Sequence, residues 1–441
     1  MRTDIIGRGG HSRVALVVSS LALAMLGTVL ARAAFWHSLA EVAPINAGDF
    51  LISYSGGFVR RGLLGELLYR LPFVTNMHRA ELAIKTLSLV AYCASFALFA
   101  SAVARRTRSV PMALLIALQP FLFGFPVLTG QWIKADLLLL LGFYVCLRWM
   151  RAASALRLLA INLISIAAIA THETFGLTML PLLIAIAASK DDPARRPWTQ
   201  ALPRAVGAFA PSIAALLVVS AFSGDALVAR GIQNAWAARG IAIRDDITPA
   251  LFGLTHHNVW RMGFDIVFDN YSDKPFFFLF WGGVTVVSGV LVSLAGGLER
   301  AGAADDEASA AYDWQSARES AAVVGLTAVF FAPLFLMATD FGRWIFLWLA
   351  VAAGITFSPV RHDLIAFVGR ALPGALTTAL RNASERVLAA PTASRFWCVG
   401  LLACSIFCVP LPAYVMEGCC TVRYVMGFSL AARVVRLVLG H

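Results

Sequence analysis

Charged residues stand at the ends of several long apolar runs in this sequence. Such positions are costly unless the charges pair, line a wet cavity or bind a charged ligand. A carboxylate there can deprotonate a hydroxyl group, and an arginine can grip a phosphate with its planar fork of donors. In chain order the residues are Asp49, Arg60, Arg61, Gln131, Lys134, Asp136, His172, Glu173, Asp340 and Arg343. They are the candidates for a site that handles a phosphate-bearing substrate.

The stretch YSGGFVRRGLLGEL, residues 54–67, combines backbone freedom with positive charge. Gly56 and Gly57 would let the backbone approach a ligand closely, because neither carries a side chain. The adjacent Arg60 and Arg61 follow. In the orientation derived below they lie on the outer side of the membrane, where positive charge is disfavoured. The pattern therefore favours a phosphate-binding segment.

Each motif also has a purely structural interpretation. The residues after the double arginine could form an interfacial helix, with its leucines in the lipid and Glu66 paired with Arg70. In THETFG, Thr171 could cap the next helix. In TDFGRW, Asp340 and Arg343 could neutralise each other at a tight turn. These alternatives stay open at this point.

The segment 223–274 mixes arginines, histidines and acids with tryptophan and tyrosine, a combination that sugars and lipid head groups favour. Its His256 and His257, with Asp265 and Asp269, do not make a metal site, because adjacent histidines point in different directions on a helix. We expect neither a metal nor a cofactor.

Composition indicates a polytopic membrane protein. Of 441 residues, 59% are hydrophobic and 14% charged, the mean hydropathy is +0.76, and many apolar runs approach the roughly 20 residues that span a bilayer. The formal charge of +11 does not indicate nucleic-acid binding, because the arginines punctuate apolar runs instead of forming one basic stripe. The seven cysteines show no metal-ligand spacing and predict no disulfide framework.

The sequence predicts an all-α bundle of about eleven transmembrane helices with a cytoplasmic N terminus. The predicted spans are 14–35, 82–104, 110–128, 135–150, 157–170, 174–189, 205–222, 275–296, 319–338, 344–358 and 396–416. Ala31–Ala33 resembles a signal-peptide cleavage site, but the apolar run from Val14 to Trp36 is long for a signal peptide. With the N terminus inside, 20 of the 36 lysines and arginines fall in short inside segments, as the positive-inside rule expects.

This orientation places all the candidate site residues on the outer face. The chain is then a single integral membrane domain, residues 1–441. Residues 36–81 form a first outer loop with a juxtamembrane amphipathic helix, 223–274 a large outer loop, and 359–395 a cytoplasmic amphipathic segment. We expect the inner membrane of a bacterium, with the site facing the periplasm or exterior.

The order of these elements resembles the membrane-embedded GT-C glycosyltransferases. The resemblance covers roughly residues 14–190: a first span, an outer loop with an early acid in NAGDF, a juxtamembrane helix, then many short-looped spans including QWIKADLLLLLGFY and HETFGLTMLPLLIA. It implies a catalytic base at the position of Asp49, although the family's acid often belongs to an acidic pair that this sequence lacks. The combination of GGFVRRG, THE and DFGRW also resembles uncharacterised bacterial membrane proteins associated with surface polysaccharide.

Transfer from a lipid-linked sugar donor needs a groove for the lipid chain, cations for the phosphate and a carboxylate that deprotonates the acceptor hydroxyl. The candidate residues include such cations and carboxylates. We therefore expect a glycosyltransferase that uses a polyprenyl-phosphate-linked sugar or glycan in surface polysaccharide or glycolipid assembly. Its other partners would be a glycan or lipid acceptor and the bilayer, with no nucleic acid. The alternatives are an O-antigen-like polysaccharide polymerase, a lipid-linked glycan transporter or flippase, and a non-catalytic membrane subunit.

Overall fold

The structure is a computed structural model that describes residues 48–128, 133–150, 154–190, 197–222, 224–241, 243, 275–298, 312–337, 341–371 and 395–408. Within these ranges the regular structure is helical, as predicted. The helices are α1 Gly62–Arg70, α2 Met77–Thr107, α3 Val110–Ala117, α4 Gly124–Leu128, α5 Asp136–Trp149, α6 Ala155–Thr171, α7 Leu180–Ser189, α8 Trp198–Ala208, α9 Ala210–Ala221, α10 Ala226–Ala238, α11 Pro275–Gly296, α12 Trp314–Met337, α13 Phe341–Thr356, α14 Val360–Ala371 and α15 Arg395–Cys408. A 3₁₀ turn covers Tyr54–Gly56 and a π-helix covers Phe175–Met179.

The helices coincide in position with the predicted apolar spans that fall in the described ranges. By length and composition, α2 and the Trp314–Phe335 part of α12 qualify as membrane spans. Two bent pairs also qualify if each is one broken span: α8 with α9, bent by 62°, and α13 with Val360–Gly369, bent by 100°. The described residues therefore hold two to four candidate spans. The total of eleven and the orientation stay predictions, and the predicted span 14–35 lies outside the described residues.

The predicted span 110–128 is two short helices rather than one. Helix α3 ends at Ala117 and α4 begins at Gly124. Pro120 explains the break, because proline has no backbone N–H and disfavours helical backbone in the preceding residue, Gln119. The Gln119 side chain is buried and donates to the carbonyl oxygens of Leu115 and Leu402, at 3.1 and 2.8 Å. The buried Gln119 amide at the break therefore finds its hydrogen-bond acceptors within the protein.

Aromatic side chains fill the core where α2, α5 and α13 meet. Phe99 stacks on Tyr144, with ring centroids 6.1 Å apart, and Phe357 meets Phe99 edge-on. The Tyr144 hydroxyl donates to the carbonyl oxygen of Ala350 at 2.8 Å. These contacts fix the relative positions of α5 and α13, whose first turns carry Asp136 and Arg343.

A second contact holds the segment that precedes α1. Gly56 lies so close to α10 that a methyl group on Gly231 would come within 2.7 Å of the Gly56 Cα atom. The Trp236 indole N–H donates to the carbonyl oxygen of Leu51 at 2.8 Å. Helix α10 thus anchors the chain between Asp49 and the double arginine.

The helix predicted in the first outer loop is α1, and residues 36–47 of that loop lie outside the described residues. Leu64 and Leu68 on α1 are buried, whereas Leu67 is exposed, so the leucines divide between the protein core and the surroundings. Of the other predicted segments, α10 belongs to 223–274 and α14 to 359–395.

Candidate functional site

Arg61 and Glu173 form the central contact of the candidate site. The Arg61 guanidinium donates from Nε at 2.9 Å to Oε2 and from Nη2 at 2.5 Å to Oε1 of Glu173. This fork joins two segments that are 112 residues apart. Bidentate arginine–carboxylate pairs are among the strongest and most directional contacts in proteins. The pair therefore sets the position of the double arginine against the end of α6.

The backbone of Arg61 is also unusual. Its φ of 63° and ψ of 7° place it in the left-handed region at the N-cap of α1, which non-glycine residues seldom occupy. Burial would lower the pKa of Arg61, but the charge and hydrogen bonds of Glu173 outweigh it and raise the pKa above its ordinary value. The surrounding contacts thus hold a permanently charged side chain on a costly backbone conformation, as is common at functional sites.

Asp49 lies on the other side of Arg61. Its Oδ1 atom is 3.8 Å from Arg61 Nη1, and its Oδ2 atom is 3.8 Å from Lys134 Nζ. Burial alone would raise the pKa of Asp49, but Lys134 first and then Arg61 more than offset this effect and hold the pKa below its ordinary value. Asp49 is therefore an ionised carboxylate flanked by two cations.

His172 is buried beside this pair. Its Nδ1 atom accepts a hydrogen bond from the Thr174 backbone N–H at 3.2 Å, so the ring carries its proton on Nε2. Burial, and then the charge of Arg61, lower the pKa of His172 to about 4. The ring is therefore neutral at pH 7, and the 3.7 Å approach of Nδ1 to Glu173 is not an ion pair at that pH.

Asp136 and Arg343 complete the cluster from the first turns of α5 and α13. The Arg343 Nε atom is 3.5 Å from Asp136 Oδ2, and the guanidinium stacks over the Trp344 ring with its Cζ atom 4.1 Å from the centroid. Asp136 is almost fully buried, at a helix N terminus whose dipole favours a negative charge. Trp344 is a contact that the sequence did not single out.

Arg60 is held less tightly than its neighbour. Its Nη1 atom is 3.7 Å from Glu173 Oε1, beyond hydrogen-bond distance. Its Nε atom is buried and has no hydrogen-bond partner among the described residues. Burial first, against the attraction of Glu173, lowers the pKa of Arg60 from its ordinary value. A buried donor without an acceptor is costly, so Arg60 would gain a hydrogen bond from an anionic ligand.

Together these residues form what we call the charged cluster: Asp49, Arg60, Arg61, Lys134, Asp136, His172, Glu173 and Arg343. With His172 neutral, four cations face three carboxylates, so the cluster has an excess of positive charge. Four separate segments supply it: the chain before α1, the start of α5, the end of α6 and the start of α13. The structure thus brings together residues that the sequence placed at the ends of different apolar runs.

The remaining candidate residues have other positions. Gly56 packs on α10, and Gly57 has a φ of 131°, a backbone conformation that favours glycine. Packing therefore accounts for the first glycine and backbone conformation for the second. A ligand contact at these glycines stays a prediction. Asp340 and Gln131 lie outside the described residues. Thr171 ends α6 and does not cap the next helix, since the residue before the π-helix is Thr174.

The predicted pairing of Glu66 with Arg70 can be judged, whereas the pairing of Asp340 with Arg343 stays a prediction, because Asp340 lies outside the described residues. Glu66 accepts a hydrogen bond from Arg70 Nε at 2.7 Å, as the spacing predicted, and also accepts from the Tyr54 backbone N–H at 3.1 Å. Arg343 contacts Asp136, a partner that the sequence did not indicate. Within the described ranges, no group of three or more histidine, cysteine or acidic side chains could hold a metal ion.

A family model described as "Uncharacterised membrane protein Rv1490" matches residues 15–238. This match covers half of the chain and includes every segment of the charged cluster except the start of α13. No curated protein and no solved structure matches the chain. Together with the apolar helices, the match identifies a membrane protein.

Proposed function

The chain belongs to the Rv1490 family of uncharacterised membrane proteins, and because that description gives no activity, we propose its function from the charged cluster. The proposal is a glycosyltransferase that uses a polyprenyl-phosphate-linked sugar or glycan in surface polysaccharide or glycolipid assembly. Arg60 and Arg61 would hold the phosphate, and Asp49 would act as the general base. In the proposed orientation the site faces the outside of a bacterial inner membrane.

The observation that carries this proposal is the pairing of an ionised carboxylate with excess cations in one buried cluster. Asp49 lies within 3.8 Å of two cations, and Arg60 has a buried donor with no acceptor among the described residues. A phosphate supplies acceptors for such donors. A carboxylate beside the phosphate is positioned to take a proton from an incoming hydroxyl.

The proposed reaction balances as follows. The acceptor hydroxyl gives its proton to the Asp49 carboxylate, and its oxygen forms a bond to the anomeric carbon of the sugar. The bond from that carbon to the phosphate oxygen breaks, and the polyprenyl phosphate leaves as an anion. The arginines stabilise the charge that develops on the leaving phosphate, where preorganised donors contribute most. Lys134, Asp136, His172, Glu173 and Arg343 would fix the geometry and line the binding site.

Asp49→Asn tests the base directly, because it keeps the shape and removes the charge. We expect sugar transfer by the purified protein in lipid nanodiscs to fall by about 100-fold to 10,000-fold. Binding of the lipid-linked donor should persist, whereas the melting temperature should fall, because Lys134 and Arg61 lose the carboxylate that compensates their charges. Asp363→Asn is the matched control, since Asp363 is an exposed acid on α14 and should leave transfer unchanged.

Retention of more than about a tenth of wild-type turnover would reject Asp49 as the base. Asp136 and Glu173 are then the described carboxylates to test next, with Asp340 as the remaining candidate. If all of these asparagine and glutamine variants remain active, the transferase proposal is wrong. A polysaccharide polymerase would use the same residues and would differ by giving products of many repeats.

A lipid-linked glycan transporter is the second candidate, and the bent helices favour it. Helix α13 begins at the charged cluster and turns by 100° into α14, and α8 turns by 62° into α9. Transporters commonly use interrupted helices, and in this protein the bend after α13 lies at the end of that helix remote from the charged cluster. Reconstituted vesicles separate the two functions: a transporter moves labelled lipid-linked glycan across the bilayer without breaking the glycosyl–phosphate bond, whereas a transferase cleaves it.

A further inference from the structure

A groove lies between α2, α5 and α13, at the ends of α5 and α13 that are remote from the charged cluster. It is a shallow groove that is partly open, and its empty space of about 380 Å³ includes open solvent. Asp136 and Arg148 mark the two ends of α5, and their twelve-residue separation corresponds to about 18 Å along a helix. The groove is therefore a separate place in the molecule, and it plays no part in the proposed transfer reaction.

The groove has an apolar side and a basic side. Leu98, Ala102 and Leu147 supply apolar lining, and Arg105 and Arg148 stand beside them as exposed cations. Both arginines belong to the last turns of their helices. An apolar slot next to two cations complements a molecule that has a hydrocarbon chain and an anionic head.

The walls of the groove are fixed by contacts within the protein. Tyr144 lines it while its hydroxyl donates to the Ala350 carbonyl and its ring stacks on Phe99. Gly354 is the neighbouring wall residue, and any side chain there would collide with the Tyr144 ring. The groove is therefore formed before any ligand enters, which lowers the entropic cost of binding.

Ser358 provides an independent indication of a ligand. It lines the groove and is 2% exposed, yet its hydroxyl has no hydrogen-bond partner among the described residues. Buried polar atoms are nearly always satisfied by protein, water or a ligand. The arginines alone could be explained by the negative ends of two helix dipoles, but that explanation leaves both the slot and the serine unaccounted for.

We infer that this groove binds one anionic phospholipid, with an acyl chain along Leu98, Ala102 and Leu147 and its phosphate at Arg105 and Arg148. The predicted orientation puts the groove at the cytoplasmic leaflet, where anionic lipids attract basic residues near helix ends. Basic pockets between transmembrane helices on that side are typical sites for such head groups.

The test uses the full-length protein in nanodiscs of phosphatidylcholine with a minor fraction of phosphatidylglycerol, and native mass spectrometry counts the lipids that stay bound on release. We expect Arg105→Ala and Arg148→Ala each to weaken phosphatidylglycerol retention about fivefold, and the double variant about 25-fold. Arg204→Ala is the matched control, because Arg204 is an exposed arginine on α8 that does not line the groove. It should retain the lipid as the wild type does.

Ala102→Trp fills the slot and keeps both cations, so it should also abolish retention if the acyl chain enters. Because tryptophan could disturb packing, Ala102→Leu serves as a milder variant, and the melting temperature of each is measured. Equal loss with Arg204→Ala would show general surface attraction and overturn the proposal. Displacement of the lipid by glycerol phosphate alone, or full retention in the filled variants, would overturn the acyl-chain contact.

Discussion

Glu173→Gln is the most informative perturbation of the charged cluster. Glu173 accepts the Arg61 fork at 2.5 and 2.9 Å and lies 3.7 Å from Arg60, so one atom change alters the surroundings of both arginines. Glutamine keeps the size of the side chain and one acceptor oxygen, but its NH₂ group would face the Arg61 guanidinium, and both of these groups are hydrogen-bond donors. The variant therefore separates the charge of Glu173 from its volume.

The structure sets the expected magnitude. Removing one partner of a buried ion pair commonly costs about 3–5 kcal/mol, because the other charge is left uncompensated. Arg61 is 23% exposed, and Asp49 remains 3.8 Å from it, so part of its charge stays compensated. We expect a loss of about 2 kcal/mol in the free energy of unfolding. Donor binding should also weaken, since Arg61 loses the contact that holds its guanidinium in place.

Thermal unfolding of the purified protein measures the loss of stability, with Glu66→Gln as the matched control. Glu66 pairs with Arg70, which is 76% exposed, and such solvent-screened pairs contribute under about 0.5 kcal/mol. A double-mutant cycle with Arg61→Gln should then give a coupling energy of about 2 kcal/mol. If Glu173→Gln is no less stable than Glu66→Gln, or the coupling vanishes, the Arg61–Glu173 fork does not hold the site together.

Three further outcomes follow from the geometry. Arg60→Ala should weaken donor binding about tenfold at unchanged melting temperature, and Arg60→Lys should rescue it only partly because lysine lacks the bidentate fork; a binding titration on the purified protein checks both. Gly231→Ala should destabilise the protein by about 1–3 kcal/mol in thermal unfolding, since the new methyl group would press on the Gly56 backbone. Burial, more than any other cause, lowers the pKa of His172 in the folded protein to about 4 from an ordinary 6.5. As the pH drops, His172 is therefore protonated in the unfolded chain before it is protonated in the folded protein, and stability should fall between about pH 6.5 and pH 4. Thermal unfolding across that range should show a smaller fall in His172→Gln, because only the carboxylates remain to lose stabilisation at its acid end, and an equal fall in that variant would assign the acid sensitivity elsewhere.

The sequence predicted the positions of the apolar helices better than it predicted how the charged residues at their ends pair. Local hydropathy can be read directly from the sequence, and it indicates where the apolar helices lie and which charged residues stand at their ends. Arg61 pairs with Glu173, 112 residues away, and among the described residues Arg343 contacts Asp136. Such choices depend on how helices pack in three dimensions, and no spacing rule within one helix reveals them.

Local rules also misled where tertiary packing determined the backbone. A glycine pair next to arginines favoured a ligand loop, which stays a prediction, but that spacing did not indicate that Gly56 allows α10 to approach closely. Residues 110–128 were predicted as one span because the run is apolar throughout, although Pro120 divides it into two helices. The left-handed backbone of Arg61 has no sequence signal, because that conformation is strained for arginine and is sustained by its surroundings.

The charged cluster also explains how a carboxylate with a lowered pKa could serve as a base in the proposed reaction. A general base works best when its pKa lies near the working pH, and in the structure Lys134 and Arg61 hold the Asp49 pKa below its ordinary value, against the effect of burial. A bound phosphate would compete with Asp49 for Arg61 and would bring its own negative charge close to Asp49, and both effects raise the pKa of the carboxyl group. Burial, which raises the pKa, would then prevail, so Asp49 would become a stronger base only when the donor is present. A transporter gains nothing from this coupling, because it transfers no proton from an acceptor, whereas a transferase gains a base that becomes active when a donor is present to react.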